Sequence, residues 1–122
     1  MKYWLLAVWL AFAGSVAAGE LEKPGRLKHI VLVRLKNSRD LGRFMGLSKR
    51  LVELPGVLRY SMGPVLPREE NRSGESFDVG VVVTLESRQA LHDYLRHPRH
   101  REIIESMRPL VANVVVHDFV TR

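Results

Sequence analysis

Four β-branched apolar runs and two amphipathic helical regions follow one another as strand, helix, strand, strand, helix, strand. That βαββαβ order predicts an α+β domain of ferredoxin-like topology with a four-stranded antiparallel sheet. The chain has 122 residues, 46% hydrophobic and 26% charged. Those proportions fit one globular domain and exclude collagen-like, coiled-coil and disordered classes. The order repeats a βαβ half, although no repeat exists at the level of residues.

Each element has its own signal. His29 to Leu35 is apolar and β-branched between polar residues, and predicts the first strand. Asn37 or Ser38 can cap the helix that follows, in which Leu41, Phe44, Met45, Ser48, Leu51 and Val52 share one face at three- and four-residue spacings. Pro55-Gly56 ends it, and Val57 to Leu66 predicts the second strand, weakened at its far end by Gly63-Pro64. Pro67 to Glu75 is a polar loop, and Phe77 to Leu85 predicts the third strand. Ser87 caps a helix carrying Ala90, Leu91, Tyr94 and Leu95 on one face. Pro98 breaks that helix and opens another, running through Ile103, Ile104, Met107, Leu110 and Val111. Asn113 to Val120 predicts the last strand.

The N-terminus has the form of a secretory signal. Met1-Lys2-Tyr3 is a short basic start, Trp4 to Ala13 is apolar, and Gly14 to Gly19 is a run of small residues with one valine. We expect residues 1–18 to be a cleaved signal peptide, 19–26 a linker and 27–122 the domain. An uncleaved anchor needs about 20 apolar residues, more than this run supplies. The chain is therefore expected in the periplasm or outside the cell, with no stable membrane insertion after cleavage. Its lack of cysteine excludes disulfide scaffolds, thiolate metal sites, cysteine nucleophiles and a lipid-modified cysteine anchor.

The third and fourth strands, with Val79 to Val83 and Val114 to Val116, are apolar on both faces. Helices packed on one side of a sheet cover one face only, so the other needs a partner. A second copy related by a two-fold axis is the simplest one, and a homodimer with its sheets face to face is the expected assembly.

The pieces His29 to Lys36, Leu54 to Val57, Phe77 to Ser87, Asp93-Tyr94-Leu95-Arg96-His97-Pro98-Arg99-His100 and Val116 to Phe119 together resemble the stress-responsive α/β barrel (Dabb) family over roughly residues 27–121. The segment Tyr-x-x-His-Pro-x-His is the most specific part of the match. The resemblance implies a ferredoxin-like unit that dimerises into an α/β barrel, and says little of chemistry. In a plant branch that looks like polyketide cyclases, the matching tyrosine and second histidine form the acid–base pair, and Tyr94 and His100 match them. A cavity histidine of that branch is matched here by Val79.

Read from the residues, Tyr94 and His100 both lie on apolar helix faces and point inward, and His29 is in phase with Val31, Val33 and Leu35. Histidine is the usual base near neutral pH, and tyrosine can hold or polarise a ligand oxygen. Tyr94 and His100 are thus candidate catalytic residues, and His29, Tyr94 and His100 candidate ligand-binding residues. A buried Tyr and His that merely hydrogen-bond near the Pro98 kink are the plainer reading. No metal is expected: His97 and His100 are three apart, but Pro98 spoils their helical alignment. His92 falls off the apolar stripe, and His117 and Asp118 point to opposite sides of their strand.

No cofactor pattern is visible: the glycines form no phosphate cradle, and neither a Ser-His-Asp set nor paired carboxylates occur. The formal charge of +6 is modest. The run Arg96 to Arg101 lacks interleaved aromatics and is followed by Glu102 and Glu105, so nucleic acid is not an expected partner. Asn71-Arg72-Ser73 is a glycosylation sequon, meaningful only in a eukaryotic secretory pathway. These readings converge on an exported homodimer with a small cavity for an apolar or aromatic ligand. The first alternative is a cofactor-free cyclase, lyase or isomerase using His100 as general base and Tyr94 as acid or oxygen ligand. A cofactor-independent monooxygenase is a further alternative, and the His-Pro-x-His segment argues against it.

Overall fold

The computed structural model describes residues 18–67, 70, 72 and 76–122. The signal-peptide reading falls almost wholly outside these residues, as do Asn71 and Ser73 of the sequon. Four strands form one antiparallel sheet in the order β2-β3-β1-β4: β1 (Leu27–Leu35), β2 (Val57–Pro64), β3 (Val79–Leu85) and β4 (Val111–Val120). Helices α1 (Leu41–Ser48), α2 (Arg88–Arg96) and α3 (Pro98–Met107) cover one face. This is the ferredoxin-like βαββαβ arrangement expected from the order of elements.

The strand register assigns every side chain to a face. Leu27, His29, Val31, Val33 and Leu35 of β1 point to the helices, in line with Val79, Val81, Val83 and Leu85 of β3. Those β3 residues are essentially fully buried against Phe44, Leu51, Leu54, Leu91, Tyr94, Ile103 and Met107. Ile30, Leu32, Val82 and Val115 occupy the opposite, uncovered face, beside Phe119, which is half-exposed. Both faces of β3 are apolar as expected. Edge strand β4 differs: Val114 and Val116 do face the helix side but stay 47% and 44% exposed, because no helix lies directly over them.

Local chemistry explains the helix boundaries. Asn37 Oδ1 accepts the Arg39 N–H at 3.0 Å, so the cap sits on a short 3₁₀ turn (Ser38–Asp40) before α1. Ser87 Oγ accepts the Ala90 N–H at 3.1 Å and starts α2. Pro98 occupies the first turn of α3, and His97 Nδ1 accepts the Arg99 N–H at 3.1 Å. Gly56, at φ +84°, makes the turn into β2.

Several boundaries differ from expectation. α1 gives way to 3₁₀ geometry over Lys49–Glu53, where three residues make a turn; Val52 rotates out of the apolar face to 44% exposure, and Leu54 is buried. β2 ends at Pro64 rather than Leu66, and β3 begins at Val79 rather than Phe77. α3 stops at Met107, because Pro109 lies in a 3₁₀ turn (Arg108–Leu110), and Val111 already belongs to β4. The stretch read as a linker is partly tied down. Gly25 and Arg26 N–H groups donate to Thr121 O and Oγ1, and the Thr121 hydroxyl donates to the Lys23 carbonyl at 2.8 Å. Among the described residues no helix is long and apolar enough to cross a membrane.

Candidate functional site

The gap between the edge of the sheet and the helices opens a cleft of about 540 Å³. β1 contributes Val31 and Val33, β4 contributes Val114 and Val116, and Ile104 and Met107 of α3 close the opposite wall. This apolar lining and volume are those of a small-molecule site. Leu95, expected on the buried face of α2, is instead 39% exposed and lines this cleft. At its inner end the cleft meets a chamber of about 60 Å³, sharing His29, His100 and Ile104 with it and lined also by Tyr60 and Tyr94.

The three residues singled out from sequence meet at this junction. Tyr94 is 2% exposed, held edge-on between two histidines: its ring centroid lies 4.7 Å from that of His100 and 6.0 Å from that of His29. α2 delivers Tyr94 from its last turn, β1 delivers His29 from the floor, and α3 delivers His100 from its first turn, two residues after Pro98. His97 is excluded from the group because its ring nitrogen caps α3, and His92 is exposed.

Asp118 is the residue the sequence reading missed. His29 lies directly across from it in the β1–β4 register, and His29 Nδ1 is 2.6 Å from Asp118 Oδ1. An ionised carboxylate only accepts hydrogen bonds, so His29 Nδ1–H donates and a neutral His29 keeps its lone pair on Nε2. His117 and Asp118 do point to opposite faces, as expected, with His117 opposite Ile30. Ser48 and Tyr60 form a second polar pair in the wall of the inner chamber, their hydroxyls hydrogen-bonded to each other. The helix period placed Ser48 inside without revealing its partner.

Burial sets the protonation states. Desolvation raises the Tyr94 pKa well above its ordinary 10, with a smaller contribution from Tyr60, so the phenol is a protonated donor at neutral pH. Desolvation also raises Tyr60, opposed by the hydrogen bond from Ser48. His100 is shifted below its ordinary 6.5, first by burial and then by His29 and His97. It is therefore a neutral base at pH 7, beside a protonated acid.

The sign of that shift gives a pH prediction. As pH falls, the unfolded chain takes up the His100 proton before the folded chain does, so stability drops through the window just below 6.5. Histidine ring NMR should show His100 titrating below 6.5 in the folded protein, and urea melts should weaken on acidification across that window. A His100 titrating at or above 6.5 contradicts the burial of its ring.

Comparison with known proteins agrees with this architecture. The model of the Stress Responsive A/B Barrel Domain (Dabb) matches residues 27–121. A Dabb family protein with a ferredoxin-like fold from Mesorhizobium loti superposes with TM-score 0.69 at 21% identity, over 80% of this chain and 98% of that one. A hydroxynitrile lyase from Passiflora edulis does so with TM-score 0.71 at 19% identity, over 82% and 96%. A dimeric ferredoxin-like protein of unknown function from Jannaschia sp. gives TM-score 0.59 at 26% identity, over 78% and 98%. No curated protein matches the chain significantly. With the family model spanning the whole sheet and every helix, this chain belongs to the stress-responsive A/B barrel domain (Dabb) family.

Proposed function

We propose that the protein is an exported, stress-response-type homodimer that binds a small apolar or aromatic ligand in the cleft, with a ligand oxygen held at Tyr94 and His100. One observation carries the binding reading: an acid and a neutral base lie 4.7 Å apart, ring to ring, where an apolar cleft of about 540 Å³ meets its inner chamber. Export is supported by the basic start, apolar run and small residues of positions 1–19. Dimerisation is supported by the uncovered apolar face at Ile30, Leu32, Val82 and Val115, and by the dimeric neighbour from Jannaschia. Native mass spectrometry of the purified protein tests the reading. A mass near twice that of one chain, with extra mass from a retained small molecule, is the expected result. A monomer with no bound mass overturns both parts.

The second reading is a cofactor-free lyase, cyclase or isomerase. The protonation states are compatible with it: His100 is neutral and able to take a proton, and Tyr94 keeps its proton as a hydrogen-bond donor. His29, oriented by Asp118, supplies a third group at the junction. The hydroxynitrile lyase among the structural neighbours is consistent with lyase chemistry on this fold. In this reading His100 removes a proton from the bound ligand while Tyr94 donates to the oxygen on which negative charge develops.

A further inference from the structure

The inner chamber holds a polar pair for which neither the acid–base group nor the fold has an evident use. Ser48 is 1% exposed, and among the described residues its hydroxyl and that of Tyr60 have each other as hydrogen-bond partners. Two hydroxyls carry two protons, and the bond between them uses one. The other remains a donor in a wall that also holds Val33, Phe44, Leu51 and Val81, with His29 and His100 on the side shared with the cleft. Tyr94 faces the same chamber and brings a second donor. A buried donor gains from a partner, so an acceptor oxygen entering the chamber finds a bond here.

We propose that the Ser48–Tyr60 pair is a second ligand-binding point, which together with Tyr94 grips the oxygen of a carbonyl compound whose apolar body fills the outer cleft. This deepens the binding reading above and rests on it. The match is one of hydrogen-bond capacity on this side of the chamber: the Ser48–Tyr60 pair and Tyr94 bring hydroxyl donors, and a carbonyl oxygen has two lone pairs to receive them. About 60 Å³ admits a group of two or three heavy atoms, so the oxygen enters while the ring or chain stays among Val31, Ile104, Val114 and Val116.

The test compares acetophenone with ethylbenzene, which share an apolar body and differ in the oxygen. Both are titrated by calorimetry into the wild-type protein and into the double variant Ser48→Ala/Tyr60→Phe. Removing both hydroxyls at once leaves no orphaned partner, so the fold is retained, which a thermal melt checks. The wild type should bind the ketone more tightly, and the variant should lose about tenfold in ketone affinity with ethylbenzene little changed. Equal affinities in the wild type, or a variant that loses both ligands alike or neither, overturn the role of the pair and leave the cleft reading standing. A wild-type protein that binds neither compound overturns the cleft reading and this proposal with it.

Discussion

Replacing His100 with alanine lowers the turnover of any proton transfer run in the cleft by about 100- to 10,000-fold, while the chain keeps its fold. The magnitude follows from what the imidazole does in that reading. It is the neutral base of the group, half-buried and kept below its ordinary pKa by its surroundings. Its neighbours are less well placed to replace it: Tyr94 is held in its protonated form, and His29, tied to Asp118 through Nδ1, has its ring 6.0 Å from that of Tyr94 against 4.7 Å for His100. His100 packs edge-on against Tyr94 near the surface rather than deep in the core, so its loss leaves Ile103 and Met107 in place. Steady-state kinetics on a converted substrate, paired with a thermal melt, check this. Undiminished turnover together with a lowered melting temperature would remove His100 from the chemistry and assign it to structure.

In the proposed homodimer, Leu32→Glu separates the two copies into folded monomers. Leu32 lies near the middle of β1, one of the two central strands, on the face that no helix covers, flanked by Gly80 on one side and Val115 on the other. A two-fold axis brings the same position in from both subunits, so one substitution introduces two carboxylates into the buried interface. Burying such charges unpaired costs several kcal/mol, enough to dissociate an interface at micromolar concentration. The monomer keeps its core because Val31 and Val33, the neighbours that face the helices, are unchanged. Light scattering should give half the wild-type mass with an unaltered far-ultraviolet spectrum. A persistent dimer would place the interface elsewhere.

Much of this architecture is legible in the sequence because its signals are local. β-Branched runs mark β1 and β3, Ser87 marks the start of α2, and the Pro98 break between α2 and α3 is written in one residue. What the sequence hides depends on register and on departures from ideal periods. Val52 follows the α-helical spacing, but the 3₁₀ turn at Lys49–Glu53 rotates it into solvent. Tyr94 and His100 are readable as inward-facing from their helical neighbours alone. The Asp118 partner of His29 is not, because parity tells only which face each residue occupies. Their meeting requires β1 to pair with β4 in one register out of several. Ser48 and Tyr60 likewise meet only once α1 lies across β2.

Methyl-resolved NMR tests the central claim, that the cleft beside Tyr94 and His100 is the binding site, most directly. With acetophenone as probe, shift changes should concentrate on Val31, Val33, Ile104, Val114 and Val116, the apolar walls of the cleft. Changes confined to Ile30, Leu32, Val82 and Val115, on the opposite face of the sheet, would contradict it, as would a spectrum that does not move.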